Sequence, residues 1–128
     1  MSKLYDVAVV GGGAAGMMAA ISAHDNLWGG SIVIIEKNKY TGRKIGITGK
    51  GRCNLTNNCT VNELLEAVRS NPKFLYGAAS RFTPADTMDF FEGMGVPLKT
   101  ERGRRVFPVS DKASDIQFAF DRAIKERG

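Results

Sequence analysis

Val7-Ala8-Val9-Val10-Gly11-Gly12-Gly13-Ala14-Ala15-Gly16 decides the fold of this chain, and Glu36, 20 positions beyond Gly16, completes its reading. Leu4 to Val10 is a nearly continuous apolar and β-branched run, the pattern of a strand buried on both faces of a parallel sheet. Ala14 to Ala23 then supplies small residues compatible with a helix packed closely on that sheet, and Trp28-Gly29-Gly30 makes the loop out of it. Ser31 to Glu36 is a second apolar, β-branched run ending on a carboxylate. Strand, glycine turn, helix, strand and terminal acid together define a βαβ unit for a dinucleotide. In such a unit Gly11 permits the tight turn, Gly13 lets backbone approach a pyrophosphate, and Gly16 lets helix and strand close together. The helix N-terminus, through Ala14 and Ala15, faces the negative charge. Glu36 is placed to bind a ribose and would meet a 2′-phosphate as a like charge, which argues against NADP. NAD and FAD both remain open at this point.

Outward from this unit, Asn38 to Asn58 is rich in Gly, Asn, Thr and Lys, with no sustained apolar period, and reads as a long loop carrying functional groups. Thr60-Val61-Asn62-Glu63 is a capping box that predicts a helix from Val61 to about Arg69, with Leu64, Leu65 and Val68 on one face. Pro72 restarts the chain before a short helical stretch through Phe74 to Ser80. Thr83-Pro84-Ala85-Asp86 then starts a helix that runs to about Met94 and is stopped by Gly95. Val96 to Glu101 and Arg104 to Val109 read as a hairpin turning at Arg102-Gly103. Ser110 to Ser114 offers several caps for a last helix, in which Ile116, Phe120 and Ile124 share a face. The expected fold class is α/β: a Rossmann-like βαβ dinucleotide-binding start with added helices and a short β-hairpin.

Composition narrows the function classes. With 128 residues, 43% hydrophobic and 24% charged, the chain has the balance of one folded domain. The apolar stretch Val7 to Ile21 is broken by glycines and lacks a basic leader, so neither a signal peptide nor a membrane span is expected. Cys53 and Cys59 are too few for a disulfide scaffold, which points to the reducing cytoplasm. Without secretion, the acceptor patterns at Asn54 and Asn58 carry no meaning. A net charge of +5 favours an anionic partner without choosing among them. No cluster of Cys, His and carboxylates has ligand spacing, so no metal is expected, and the single histidine, His24, is assigned no role.

Glu36 followed six residues later by Gly42-Arg43-Lys44 resembles the extended FAD fingerprint of flavoproteins with two dinucleotide domains. The longer run Gly42-Arg43-Lys44-Ile45-Gly46-Ile47-Thr48-Gly49-Lys50-Gly51-Arg52-Cys53-Asn54-Leu55-Thr56-Asn57 resembles the signature of the aminoacetone-oxidase-like family of bacterial FAD-dependent oxidoreductases. Gly103-Arg104-Arg105-Val106-Phe107-Pro108-Val109-Ser110 is similar to a further segment of that family, so the likeness spans essentially the whole chain. Thr48 stands where that pattern has Ser, Lys50 where it has Gly, and Arg104-Arg105 carries one more basic residue before Val106.

The resemblance implies FAD as cofactor, with Glu36 at the ribose; the adjoining Lys37 is carried as a candidate contact, although it reads more simply as a solvated residue than as a phosphate clamp. The loop then runs along the pyrophosphate and ribityl chain toward the flavin. On that loop Gly42, Arg43, Lys44 and Thr48 are candidate contacts, followed by Gly49, Gly51, Arg52, Cys53 and Asn54. Arg43, Lys44 and Arg52 would bring charge, and backbone N–H groups around Gly49 and Gly51 would form an anion-binding nest. The implied activity is flavin-dependent oxidation of a small amine, amino ketone or related substrate; no catalytic acid or base is named.

Three other readings compete. Cys53 and Cys59 lie where flavin disulfide reductases carry a redox pair, but five residues separate them, more than in those enzymes, and no Gly-Gly-Thr precedes Cys53. FAD-dependent tRNA-modifying flavoproteins share this βαβ start, yet nucleic acid is not the expected partner. A NAD-binding module without flavin is the third. A further parallel strand pair, a glycine-aspartate segment for the ribityl chain and a substrate domain are not located after Val109. Residues 1–128 are therefore expected to be the truncated N-terminal part of an FAD-binding domain, inactive alone and of unspecified oligomeric state.

Overall fold

The structure is a computed structural model that describes residues 2–128. Its first unit is β1 (Val7–Val10), α1 (Ala14–Asn26) and β2 (Ile32–Ile35). β1 and β2 pair in parallel, Val7 opposite Ile32 through Val10 opposite Ile35, with α1 as the crossover between them. The entry to the sheet is tied by Asp6, whose carboxylate accepts the Ser31 N–H at 2.8 Å and its hydroxyl at 3.0 Å. Leu4 and Tyr5 lie outside the strand.

β1 differs from the fully buried strand expected of it: Val7 and Val9 are half-buried, whereas Ala8 and Val10 are exposed. α1 packs on both strands of the two-stranded sheet, while Ala8, Val10 and Ile35 stand exposed. α1 also runs three residues past Ala23, to Asn26, whose side-chain amide donates to the Ser22 carbonyl at 2.8 Å.

After β2 the chain makes a compact 3₁₀ segment, Ile45–Gly51, within the stretch read as loop. A second sheet follows, built from β3 (Thr56–Asn57), β4 (Leu98–Glu101) and β5 (Arg105–Pro108), with β5 central and both neighbours antiparallel to it. β3 was not anticipated, because two polar residues carry no strand period. The hairpin turn takes three residues rather than two: Arg102–Arg104 form a 3₁₀ turn, and the extra arginine is absorbed by Gly103 and Arg104 at φ +74° and +57°.

Between β3 and β4 lie α2 (Val61–Glu66), α3 (Pro72–Arg81) and α4 (Pro84–Gly93). α2 and α4 begin with the expected capping boxes, Thr60 with Glu63 and Thr83 with Asp86. α2 stops three residues short of Arg69 as its last turn tightens: Ala67 shares its N–H between the Glu63 and Leu64 carbonyls, and Val68 donates to the Leu65 carbonyl three residues back.

The last helix, α5 (Ala113–Lys125), is capped at Lys112 and not by a serine side chain. Ile116, Ala119, Phe120 and Ala123 bury one face of it against Met17 and Ile21 of α1, Ile45, Cys53, Phe91 and Val96. Ile124, the third residue of the expected stripe, is partly buried at its edge. Phe91 meets Phe90 and Phe120 edge-on, with ring centroids 5.0 and 5.1 Å apart. The core therefore sits between the two sheets, and α5 joins them. Among the described residues no helix is long and apolar enough to cross a membrane.

Candidate functional site: a glycine cradle at the end of the parallel sheet

The turn from β1 into α1 is set by close approach. Gly11, at φ +98°, donates to the Ile35 carbonyl at 2.8 Å and so extends the ladder by one rung. A Cβ on Gly16 would lie 1.9 Å from the Gly11 carbonyl oxygen, so only glycine lets the helix start this near the strand. Gly13 is the N-cap of α1 and differs in kind: no side chain caps it, and a Cβ there would meet nothing within 4 Å. The first turn of α1 holds no acid, and Gly13, Ala14 and Ala15 are exposed. The N–H groups at this end are thus left for an external acceptor, where the helix dipole also favours negative charge.

Glu36 stands at the end of β2 with its carboxylate oriented by backbone. Oε2 accepts the Gly12 N–H at 2.7 Å; Oε1 accepts the Asn38 N–H at 2.7 Å and the Asn38 amide at 2.6 Å. The hydrogen bonds from Asn38, then that from Gly12, hold this carboxyl below its usual range, so it stays charged. An ionised carboxylate offers about four acceptor positions, and with three of them taken about one remains for a ribose hydroxyl. Gly12, outside the spacing pattern, is the joint of the site. Its carbonyl accepts the Gly42 N–H at 2.7 Å, and a Cβ on it would fall 2.6 Å from the Thr41 methyl. Gly42 is held from its other side by Gln117 of α5, whose amide donates to the Gly42 carbonyl at 2.8 Å. Gly12, Thr41 and Gln117 were missed by motif reading; the consecutive glycines 11–13 were the available signal for the first, and none pointed to the others.

The structure brings the βαβ residues and Gly42 together and distributes the rest along the loop. Lys37 and Lys44 are exposed, and Arg43 reaches the Asn38 side-chain oxygen at 3.3 Å. Thr48 donates its hydroxyl to the Ile45 carbonyl at 2.7 Å, while its own carbonyl accepts the Cys53 N–H at 3.1 Å. Gly49, Lys50, Gly51 and Cys53 all have left-handed backbone, at φ +55°, +57°, +83° and +58°. Lys50 thus carries, as a non-glycine residue, the conformation that a glycine adopts freely. Asn54 is exposed just beyond.

Cys53 is buried, which pushes its thiol pKa up, opposite to the lowered value of a redox nucleophile. Both cysteines are free thiols. Arg52 turns away from the cradle toward Glu101 and Asp111, and its guanidinium carbon stacks 4.1 Å from the Phe107 ring centroid.

A parallel βαβ unit with an uncapped, acid-free helix N-terminus and an oriented carboxylate one strand away defines a Rossmann-type nucleotide-binding domain. Residues 5–128 match the family model described as the HI0933-like protein Rossmann domain, and the chain belongs to that family. It is 34% identical over 113 residues to a 3-dehydro-bile acid delta(4,6)-reductase of Clostridium scindens, covering 86% of this chain and 26% of that protein. It is 36% identical over 112 residues to a ribosomal RNA dihydrouridine synthase of Escherichia coli, covering 88% and 27%. A ribosomal RNA dihydrouridine synthase of Haemophilus influenzae is 33% identical over 98 residues, covering 75% and 23%. The chain spans about a quarter of the length of these curated relatives.

Proposed function

We propose that this chain supplies the ADP-binding portion of a flavin-dependent oxidoreductase with FAD as its cofactor. The observation that carries the reading is the cradle itself: unpartnered N–H groups at Gly13 to Ala15 face outward while Glu36 is oriented beside them by the Gly12 N–H. A pyrophosphate fits the first feature and an adenosine ribose the second. When bound, the flavin supplies the hydride chemistry; these residues bind and orient it. Support for FAD over NAD comes from the Gly42–Asn57 stretch, from membership of the family, and from relatives named as a reductase and as dihydrouridine synthases.

Two directions of chemistry follow for the whole protein. The likeness to aminoacetone-oxidase-like proteins favours oxidation of a small amine or amino ketone. The names of the relatives favour a reductase, including one that acts on RNA. An absorbance spectrum of the purified protein, before and after heat release of its cofactor, tests the shared claim: released FAD is expected, whereas a colourless protein that binds NAD contradicts it. Anaerobic mixing then separates the two directions, since an oxidase is bleached by its amine substrate and a reductase is reoxidised by its unsaturated one.

A further inference from the structure

We propose that Arg52 is a positioning residue, a charge-neutral clamp that holds the Gly49–Asn54 turn from behind, and not one of the cations that meet the cofactor phosphates. The inference rests on the flavin reading above and reassigns one residue of that site. Arg52 Nε donates to Asp111 Oδ1 at 2.8 Å, and its terminal nitrogen lies 2.7 Å from the same oxygen and also pairs with Glu101. Lys99 Nζ lies 2.9 Å from Asp111 and 3.3 Å from Glu101. Two cations and two carboxylates therefore cancel, with Arg52 further fixed on the face of Phe107.

The network joins three separate segments: the cofactor-side turn, β4, and the left-handed residue Asp111 that precedes α5. Arg52 lies between left-handed Gly51 and Cys53, so fixing its side chain fixes a turn that two non-glycine residues, Lys50 and Cys53, enter at a conformational cost. A guanidinium already paired with two carboxylates has little charge left to offer an anion. The same loop has other cations for that purpose: Arg43, Lys44 and Lys50 are exposed and form no ion pair among the described residues.

The two roles predict opposite signs. In a clamp, Asp111→Asn and Glu101→Gln loosen the turn and weaken FAD binding by about tenfold together, as coupled contacts of this kind do. In a phosphate ligand, the same substitutions release Arg52 toward the anion and tighten binding. Asp111→Asn suits the test because asparagine tolerates the left-handed backbone that position 111 adopts.

The experiment measures two things on the purified protein. The first is amide hydrogen exchange of residues 49–54 without nucleotide. The second is FAD affinity across a salt series, for wild type, Asp111→Asn, Glu101→Gln and Arg52→Gln. Faster exchange in all three variants, weaker FAD binding, and an unchanged salt dependence in Arg52→Gln are expected. Tighter binding in the acid-to-amide variants with a shallower salt dependence in Arg52→Gln would overturn the clamp, as would exchange that none of the substitutions alters. If the wild type takes up no FAD, the flavin reading fails on its own, and the exchange data still decide whether Arg52 orders the turn.

Discussion

The parallel βαβ unit and the antiparallel sheet of β3, β5 and β4 handle polar groups in opposite ways. In the first, glycines bring backbone groups together and leave the N-terminus of α1 without a capping side chain or an acid. In the second, charged side chains meet one another: Arg52 and Lys99 with Glu101 and Asp111, and Arg104 with Glu63. The first region is left incomplete toward an outside anion, whereas in the second Arg52, Lys99, Glu101 and Asp111 satisfy one another within the chain. α5 touches both, through Gln117 on the cradle side and Ile116 in the core, and so carries the relative placement of the two.

Breaking the connection should have the largest effect. Ile116 is fully buried in the shared core, and Ile116→Ala is expected to destabilise the protein by about 2–5 kcal/mol, read as a lowered denaturation midpoint in urea. Gly16→Ala drives a methyl against the Gly11 carbonyl and is expected to cost about 1–3 kcal/mol or more while abolishing nucleotide binding. Gly13→Ala sharpens the contrast, because its Cβ enters open space. Thermal stability should stay within about 0.5 kcal/mol of wild type. FAD affinity should fall about tenfold, roughly 1.4 kcal/mol, if backbone at Gly13 meets the pyrophosphate.

The smallest effect concerns pH and the satisfied region. Glu63 accepts the Thr60 N–H in its capping box and is paired with Arg104, which together lower its pKa from 4.5 to about 2. Its folded value lies below its unfolded one, so its stabilisation is complete above about pH 4.5 and is lost as pH falls toward about 2. Glu63→Gln should therefore flatten the fall of melting temperature over that interval and leave the neutral-pH cradle unaffected.

These two regions also differ in how far the sequence alone discloses them. Gly11, Gly13, Gly16 and Glu36 were legible because a strand, a turn, a helix start and a second strand impose their spacing locally. The capping boxes at Thr60 and Thr83 were legible for the same reason, each closing within four residues. Gln117 was not, since its contact with Gly42 spans 75 positions. Nor was the commitment of Arg52 to Asp111, 59 positions away, which only the antiparallel sheet brings about. Gly12 sat inside the motif unremarked because its role, between Glu36 and Gly42, depends on two later segments folding back onto it. The exposure of Ala8 and Val10 escaped prediction because an apolar run signals burial without saying what will cover it.

The central claim is that the βαβ cradle holds the ADP half of FAD, and competition titration tests it most directly. Binding is followed by flavin fluorescence as FAD, FMN and ADP are added to the purified, cofactor-stripped protein. FAD is expected to bind, ADP to displace it competitively, FMN, which lacks the adenosine, to bind far more weakly, and Glu36→Gln to weaken FAD and ADP alike. FMN binding as tightly as FAD, or FAD that ADP cannot displace, would contradict it.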